Sequence, residues 1–219
     1  MSSYAATIGP SPWGTMSRQT SAVADTLTTG NEQQSDEDLV RRVARGDRDA
    51  LALLLDRHSD RAYAFATRLL GNPTEAEDAV QEAFLKLWRE AGRWQAERGR
   101  FAPWFFRIVY NLCIDVIRRR RTVGLDTVAE MESDAPGPEE LAARRLREDR
   151  VAAALARLPE RQRAAVLLCY YQGLSNREAA EIMNLGVKGL EALLVRARRQ
   201  LAQTLASEAE QNNERERRP

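Results

Sequence analysis

Wherever this chain patterns its apolar residues, it does so at the helical period. They recur three and four residues apart in Leu39-Val40-x-x-Val43-Ala44, in Ala76, Ala79, Val80, Ala83, Phe84 and Leu87, and in Leu190, Leu194, Ala197 and Leu201. No stretch shows the every-second-residue alternation of a half-buried strand. The expected fold class is therefore all-α. The helical pattern is interrupted once, by TVGLDTVAEMESDAPGPEE at 122–140, which has six acids, no base and a Pro136-Gly137-Pro138 core. Two small helical domains joined by a flexible acidic linker follow from that break. Composition agrees: 43% hydrophobic and 30% charged residues describe a soluble globular protein. The expected division is a disordered leader at 1–34, a first domain at 35–121, the linker at 122–140, a second domain at 141–207 and a disordered tail at 208–219. Met16 is an alternative start within the leader.

In the first domain, Ser35-Asp36-Glu37-Asp38 is a helix-start signal and Gly46-Asp47 ends that helix. A second helix runs from about Arg48 past Leu54, Leu55, Tyr63 and Phe65 to Leu69, and Gly71-Asn72-Pro73 turns the chain. Thr74, with Glu77 three residues on, predicts a capping box for the third helix, 75–90. Its outer side carries Asp78, Gln81, Glu82 and Leu85. A leucine amid acids is either an ordinary exposed residue or the apolar anchor of a protein-docking patch with a charged rim.

After a Gly-containing loop that holds Trp94 comes FAPWFFRIVYNLCIDVIRRRR, residues 101–121. Pro103 suits a first helical turn, where its missing N–H costs nothing. At about 100° per residue, Phe105, Val109, Leu112, Cys113 and Val116 fall on one side, expected to be buried. Trp104, Arg107, Asn111, Asp115 and Arg118 form an opposite stripe, followed by Arg119, Arg120 and Arg121. That stripe is either a solvated face with a basic cap favoured by the helix dipole or a surface that stacks on bases and pairs with phosphates. The net charge of +1 hides an uneven placement: residues 93–121 hold eight Arg and two acids, directly before the acidic linker. That arrangement suits a polyanion-binding surface beside a separate acidic segment.

In the second domain, Leu146, Val151, Leu155 and Leu158 continue a helix that Pro159 ends, and 160–171 makes another with Val166, Leu167 and Tyr170 apolar. Ser175-Asn176-Arg177-Glu178 is a second capping box, opening a short helix. Asn184-Leu185-Gly186 is a tight turn, and a last helix runs from Val187 to about Leu205. A short capped helix, a Gly-containing turn and a longer helix make the helix-turn-helix pattern, whose second helix enters the DNA major groove in its DNA-binding form. On that helix Val187, Leu190, Leu194, Ala197 and Leu201 face inward, and Lys188, Ala192, Arg196, Arg199 and Gln200 face out.

Other function classes find little support. Cys113 and Cys169 lack CxxC partners and His58 is the only histidine, so neither a Cys/His zinc site of the usual kind nor a cofactor is expected. Both cysteines read as buried reduced thiols, which fits the cytoplasm. No apolar run reaches the roughly 18 residues of a membrane span, and the N-terminus lacks the pattern of a signal peptide. Nothing around His58 suggests catalysis, so the chain is not expected to be an enzyme.

DLVRRVARGDRDAL, EAEDAVQEAFLKLW and GRFAPWFFRIVYNLCIDVIRRR resemble the core domain of the bacterial sigma-70 family, and LPERQRAAVLLCYYQGLSNREAAEIM resembles its C-terminal helix-turn-helix domain. With only a linker between them, the chain looks like the extracytoplasmic-function (ECF) group of RNA polymerase sigma factors. The resemblance covers residues 37–205. It implies a sigma factor, monomeric outside its complexes and without a small-molecule substrate, whose partners are core RNA polymerase (β′ clamp and β subunits), promoter DNA and an anti-sigma factor. Asp78, Gln81, Glu82 and Leu85 map onto the helix that docks on the β′ coiled coil. Trp94, Trp104, Arg107, Asn111, Asp115 and Arg118 map onto the segment that opens and reads the −10 element, with Trp94 and Asn111 at the pocket for a flipped base and Arg118, Arg119, Arg120 and Arg121 as phosphate clamps. The acidic linker is implied to thread the RNA-exit path. Ser175, Arg177, Lys188, Ala192, Arg196 and Arg199 map onto the −35 reader. Many relatives carry Thr, Ser and Arg in the middle of that helix, whereas this chain has Gly189, Leu190, Glu191, Ala192 and Leu193. Fewer polar base contacts are expected here, with Lys188, Arg196 and Arg199 mainly on phosphates.

Two rivals share parts of this pattern. A sigma-like decoy that titrates an anti-sigma factor would tolerate the altered last helix but has no need of the Trp104–Arg118 stripe. A helix-turn-helix repressor leaves the first domain unexplained.

Overall fold

The computed structural model describes residues 34–95, 99–123 and 150–216. Among them all regular structure is helical. α1 (Asp36–Val43), α2 (Arg48–Leu70), α3 (Pro73–Glu90) and α4 (Phe101–Val123) build the first unit, with a 3₁₀ turn at Ala91–Arg93. α5 (150–156), α6 (Glu160–Val166), α7 (Asn176–Ile182) and α8 (Val187–Glu216) build the second. α6 continues as one π-helical stretch, Leu167–Tyr171. The linker expected at 122–140 and Leu146 lie almost wholly or wholly outside the described residues, as does the leader through 33.

Local chemistry sets the helix ends. Ser35 caps α1 by accepting from the Asp38 N–H, and Asp47 caps α2 by accepting from Asp49 and Ala50. Gly71, with φ 69°, closes α2 in the left-handed region that glycine enters without a Cβ clash. The start of α3 differs from the sequence expectation. Asn72, not Thr74, is the cap and accepts from the Thr74 and Glu75 N–H groups, while Pro73 takes the first helical position. Proline brings no N–H to a place where none has an intrahelical partner, and an Asn oxygen caps at least as well as a Thr hydroxyl. The Ser175–Glu178 capping box of α7 forms as expected. Asn184, with φ 52°, makes the turn into α8, and α8 runs to Glu216, beyond its expected end near Leu205.

The first unit packs α2, α3 and α4 against one another, with α1 across α2 and α4. Its centre is aromatic. Phe65, Phe101, Phe105 and Phe106 are fully buried, with Phe101 stacked on Phe105 at 5.7 Å and Phe84 tilted against Phe105 at 4.9 Å. Each such ring is worth about 1.5–3 kcal/mol by burial. The core face expected for α3 is buried throughout (Ala76, Ala79, Val80, Ala83, Phe84, Leu87). On α4 the buried face is rotated: Phe105, Val109 and Cys113 are joined by Phe106, Tyr110 and Ile117, and Leu112 and Val116 lie half-open at its edge. α7 of the second unit also packs against α4.

His58 belongs to this core. Its Nε2 lies 2.7 Å from Asp36 Oδ2, and its ring meets Phe101 at 5.2 Å and Phe105 at 5.9 Å. The hydrogen bond to His58 leads the causes that hold the Asp36 carboxyl below its ordinary value; burial opposes it and Arg57 assists. The second unit packs α6 and α7 on α8, through Leu167, Leu168, Ala179, Ala180, Leu190, Leu194 and Ala197. Val187, expected inward, and Val151 and Tyr170 are exposed.

Candidate nucleic-acid interface

The outer side of α3 is as the periodicity predicts. Asp78, Gln81 and Leu85 are exposed and Glu82 half-buried, with Leu85 open over 49% of its surface. Gln81 donates to Glu77 at 3.3 Å, and Glu82 faces Arg89 at 3.6 Å. Along the edge of this face, α3 and α4 leave a groove of about 500 Å³. One wall carries Glu75, Asp78 and Glu82; Leu112 and Val116 give an apolar floor, and Arg119 stands on the other wall. The half-open Leu112 and Val116 are thereby explained.

Along α4, Arg107, Asn111, Asp115 and Arg118 are exposed on one line, with Trp104 half-buried at its start, 6.0 Å from Phe101. Arg118 lies 3.5 Å from Asp115, and Arg119 bonds the Asp115 carbonyl at 3.3 Å. The stripe thus presents a free amide, an aromatic edge and guanidiniums, the groups that can hold an unpaired base and its phosphates.

Three expected members of this surface stand elsewhere. Trp94 is 9% exposed and belongs to the apolar core, so its ring does not line an open pocket. Arg120 turns inward, ion-paired with Glu75 of α3 and donating to the Leu70 carbonyl at 2.8 Å, so it ties three helices together and is not a phosphate clamp in this arrangement. Arg121 is paired with Glu160 of α6 at 2.7 Å. In a run of four arginines successive side chains point about 100° apart, so one helix cannot aim all four at a single ligand.

In the second unit, Lys188, Ala192, Arg196 and Arg199 are exposed on α8, and Ser175 and Arg177 on the start of α7. The Ser175 hydroxyl is engaged with Glu178 at 2.7 Å, Arg177 lies 3.8 Å from Glu181, and Arg196 folds back on the Ala192 carbonyl at 3.1 Å. Gln200, expected outward, is half-buried and donates to the Arg157 carbonyl at 3.2 Å. Val195, which the periodicity left unassigned, is 57% exposed within the same face.

The two units also meet directly. Buried Arg163 of α6 donates to the Leu69 carbonyl of α2 at 3.1 Å, while bonding Ala156 and Leu158 in its own unit. Burial lowers the Arg163 pKa, with Glu160 acting against it. Arg61 donates to the Gln172 carbonyl at 3.0 Å, Arg68 lies over the Tyr171 ring at 5.0 Å, and Arg100 pairs with Glu178 at 2.7 Å. Burial of Glu178 would raise its pKa, but the bonds from Arg100 and Ser175 outweigh this and hold the carboxyl low. No local signal marks Arg163 or Arg61 in the sequence.

Among the described residues no group of three or more His, Cys, Asp or Glu is placed to hold a metal ion. Nor is any described helix long and apolar enough to cross a membrane.

The chain resembles known proteins in both units. Sigma-70 region 2 matches residues 54–123, and Sigma-70, region 4 matches residues 148–201. The ECF RNA polymerase sigma factor SigW of Bacillus subtilis is 30% identical over 177 residues, 76% of this chain and 94% of the relative. The RNA polymerase sigma factor CnrH of Cupriavidus metallidurans is 34% identical over 191 residues, 82% of this chain and 99% of the relative. Among solved structures, CnrH in complex with the cytosolic domain of CnrY superposes with a TM-score of 0.61 at 29% identity, covering 80% of this chain and 99% of that one. The sigma factor RpoE in complex with the anti-sigma factor NepR from Bartonella quintana does so with 0.57 at 28% identity, covering 73% and 96%. Helical architecture, the order of its two units and these relatives together make the chain a member of the ECF group of the sigma-70 family, the DNA-binding sigma factors of transcription initiation.

Proposed function

We propose that this sigma factor docks on core RNA polymerase through Asp78, Gln81, Glu82 and Leu85 of α3, opens and reads the −10 element with α4, reads the −35 element with α8, and is held in check by an anti-sigma factor. The observation that carries the docking reading is Leu85, half-open to solvent in the middle of an acidic and amide rim. An exposed apolar anchor within a polar rim is how a protein interface concentrates its affinity. On α4, Trp104, Arg107, Asn111, Asp115, Arg118 and Arg119 remain the strand-reading set, and Arg120 and Trp94 support them from within. Flipping a base costs a few kcal/mol, which stacking at about 1–3 kcal/mol per base can offset. On α8, Lys188, Arg196 and Arg199 engage phosphates. Inhibition by an anti-sigma factor is supported by the RpoE relative, whose structure includes one.

The test is run-off transcription with purified core polymerase on genomic fragments, with the Glu82→Ala/Leu85→Ala double variant beside the natural protein. The reading expects specific transcripts from the natural protein, and loss of both core binding and transcripts in the variant without a change in melting temperature. Capture of an anti-sigma factor with no transcript from any fragment would favour the decoy instead.

A further inference from the structure

One line along the outward face of α8, between Lys188 and Arg199, is apolar. Residues 188, 192, 195 and 199 are spaced four, three and four apart, so they share one line along the helix. The two ends of that line are Lys188 and Arg199, and its middle is Ala192 and Val195, all exposed. Val195 leaves 57% of its surface in water. The placement contributes little to folding. Valine is a weaker helix former than alanine or the long straight-chain residues, and its isopropyl group packs on nothing over most of its area. The neighbouring charge, Glu191, is exposed too. A carboxylate is poorly placed against a polyanion unless it accepts a hydrogen bond from a base.

The major groove offers what this line lacks a partner for. The thymine C5-methyl is its apolar feature, met in protein complexes by short apolar side chains, and the cytosine amino group is a donor that Glu accepts from. We propose that Val195, with Ala192 beside it, selects the −35 element by packing on thymine methyl groups, Glu191 accepting from a cytosine amino group next to them. Lys188 and Arg199 hold the phosphates on either side and set the register. The element is then chosen by the methyl and amino edges of its pyrimidines, not by the bidentate Arg–guanine pairing that a polar reading helix uses. This rests on the reading of α8 as the major-groove helix.

Replacing thymine by deoxyuridine removes that methyl and nothing else. The experiment measures promoter binding by holoenzyme, assembled from this chain and core polymerase, on a promoter mapped by run-off and footprinting. Duplexes carry thymine or deoxyuridine throughout the −35 element, or the same number of deoxyuridines outside it. Natural holoenzyme should bind the −35 deoxyuridine promoter about fourfold more weakly for each methyl contacted, and the outside control unchanged. Val195→Ala holoenzyme should bind the thymine promoter several-fold more weakly and distinguish the two −35 duplexes less, by the share that Val195 supplies beyond Ala192. Equal binding of thymine and deoxyuridine promoters by the natural protein, or undiminished discrimination by Val195→Ala, would overturn the proposal. A scrambled −35 element separates its failure from that of the underlying reading. If scrambling weakens binding and deoxyuridine does not, α8 reads the duplex by other contacts; if scrambling has no effect, α8 is not a reader and both fall.

Discussion

α4 and α8 each bury one face and turn the other to solvent, yet they are built oppositely. α4 is held by rings (Phe101, Phe105, Phe106 and Tyr110) and shows polar groups outside, Asn111 and Asp115 between Arg107 and Arg118. α8 is held by Leu190, Leu194 and Ala197, and shows Ala192 and Val195 between Lys188 and Arg199. The difference suits the two proposed targets. A strand pulled out of its duplex must be caught base by base, which calls for directional groups on a stiff support. An intact duplex already presents its edge in a fixed shape, and a short apolar side chain can select on it.

The largest contrast should lie in stability. Phe105→Ala removes a ring that touches four other rings and should cost about 3–5 kcal/mol. Leu190→Ala should cost about 2–5 kcal/mol. Urea unfolding followed separately in each unit would show whether the aromatic support of α4 is the stiffer one; equal midpoints for the two variants would erase that half of the comparison. Next come the outward faces. Asn111→Ala should lower open-complex yield on the order of tenfold, the scale of one lost base contact, with little change in the closed complex. Lys188→Ala should weaken closed-complex binding a few-fold and reduce its salt dependence by about one counterion. Permanganate footprinting and salt titrations read the two, and the same phenotype from both variants would mean the helices share one task.

A smaller effect is expected in acid. The folded Asp36 carboxyl is held below its ordinary 3.8, first by His58 and then, against burial, by Arg57. Between those values the unfolded chain binds more protons than the fold, so the Asp36 contribution is present above pH 3.8 and disappears as pH falls through the depressed folded value. Asp36→Asn should lower the melting temperature near pH 6 and flatten its decline toward pH 3, with the second unit unaffected. The smallest signal is chemical. Burial pushes the Cys113 thiol up to about 12 and raises Cys169 as well, but only Cys113 is fully enclosed. A thiol reagent at pH 8 should label Cys169 first and reach Cys113 only on unfolding; simultaneous labelling would show that α4 opens as readily as the second unit.

Much of this was legible in the chain because it is local. Caps at Ser35 and Ser175 and the core face of α3 follow from neighbours within one turn. The misjudged cap at Thr74 was a choice between adjacent residues, decided by Pro73. What escaped is long-range. Arg120 finds Glu75 and Leu70, Arg121 finds Glu160, and Arg61 finds Gln172, partners 39 to 111 residues away that no periodicity encodes. Trp94 was placed by its type in a loop, and burial there is a matter of packing. Val195 lies on the outer line of α8, but nothing in the periodicity distinguishes an exposed valine from one at the edge of the core.

The contacts between the units carry one more consequence. Arg163 on the Leu69 carbonyl, Arg61 with Gln172, Arg100 with Glu178 and Arg121 with Glu160 make a seam in which nearly every named bond is polar. Water can replace each of them, so a hydrogen bond from a charged guanidinium contributes only about 1.5–3 kcal/mol net and an exposed ion pair about 0–1. Apolar side chains also run together across it, because the buried residues of both units form one cluster. The polar bonds therefore set how the two units are registered, while the shared apolar core holds them.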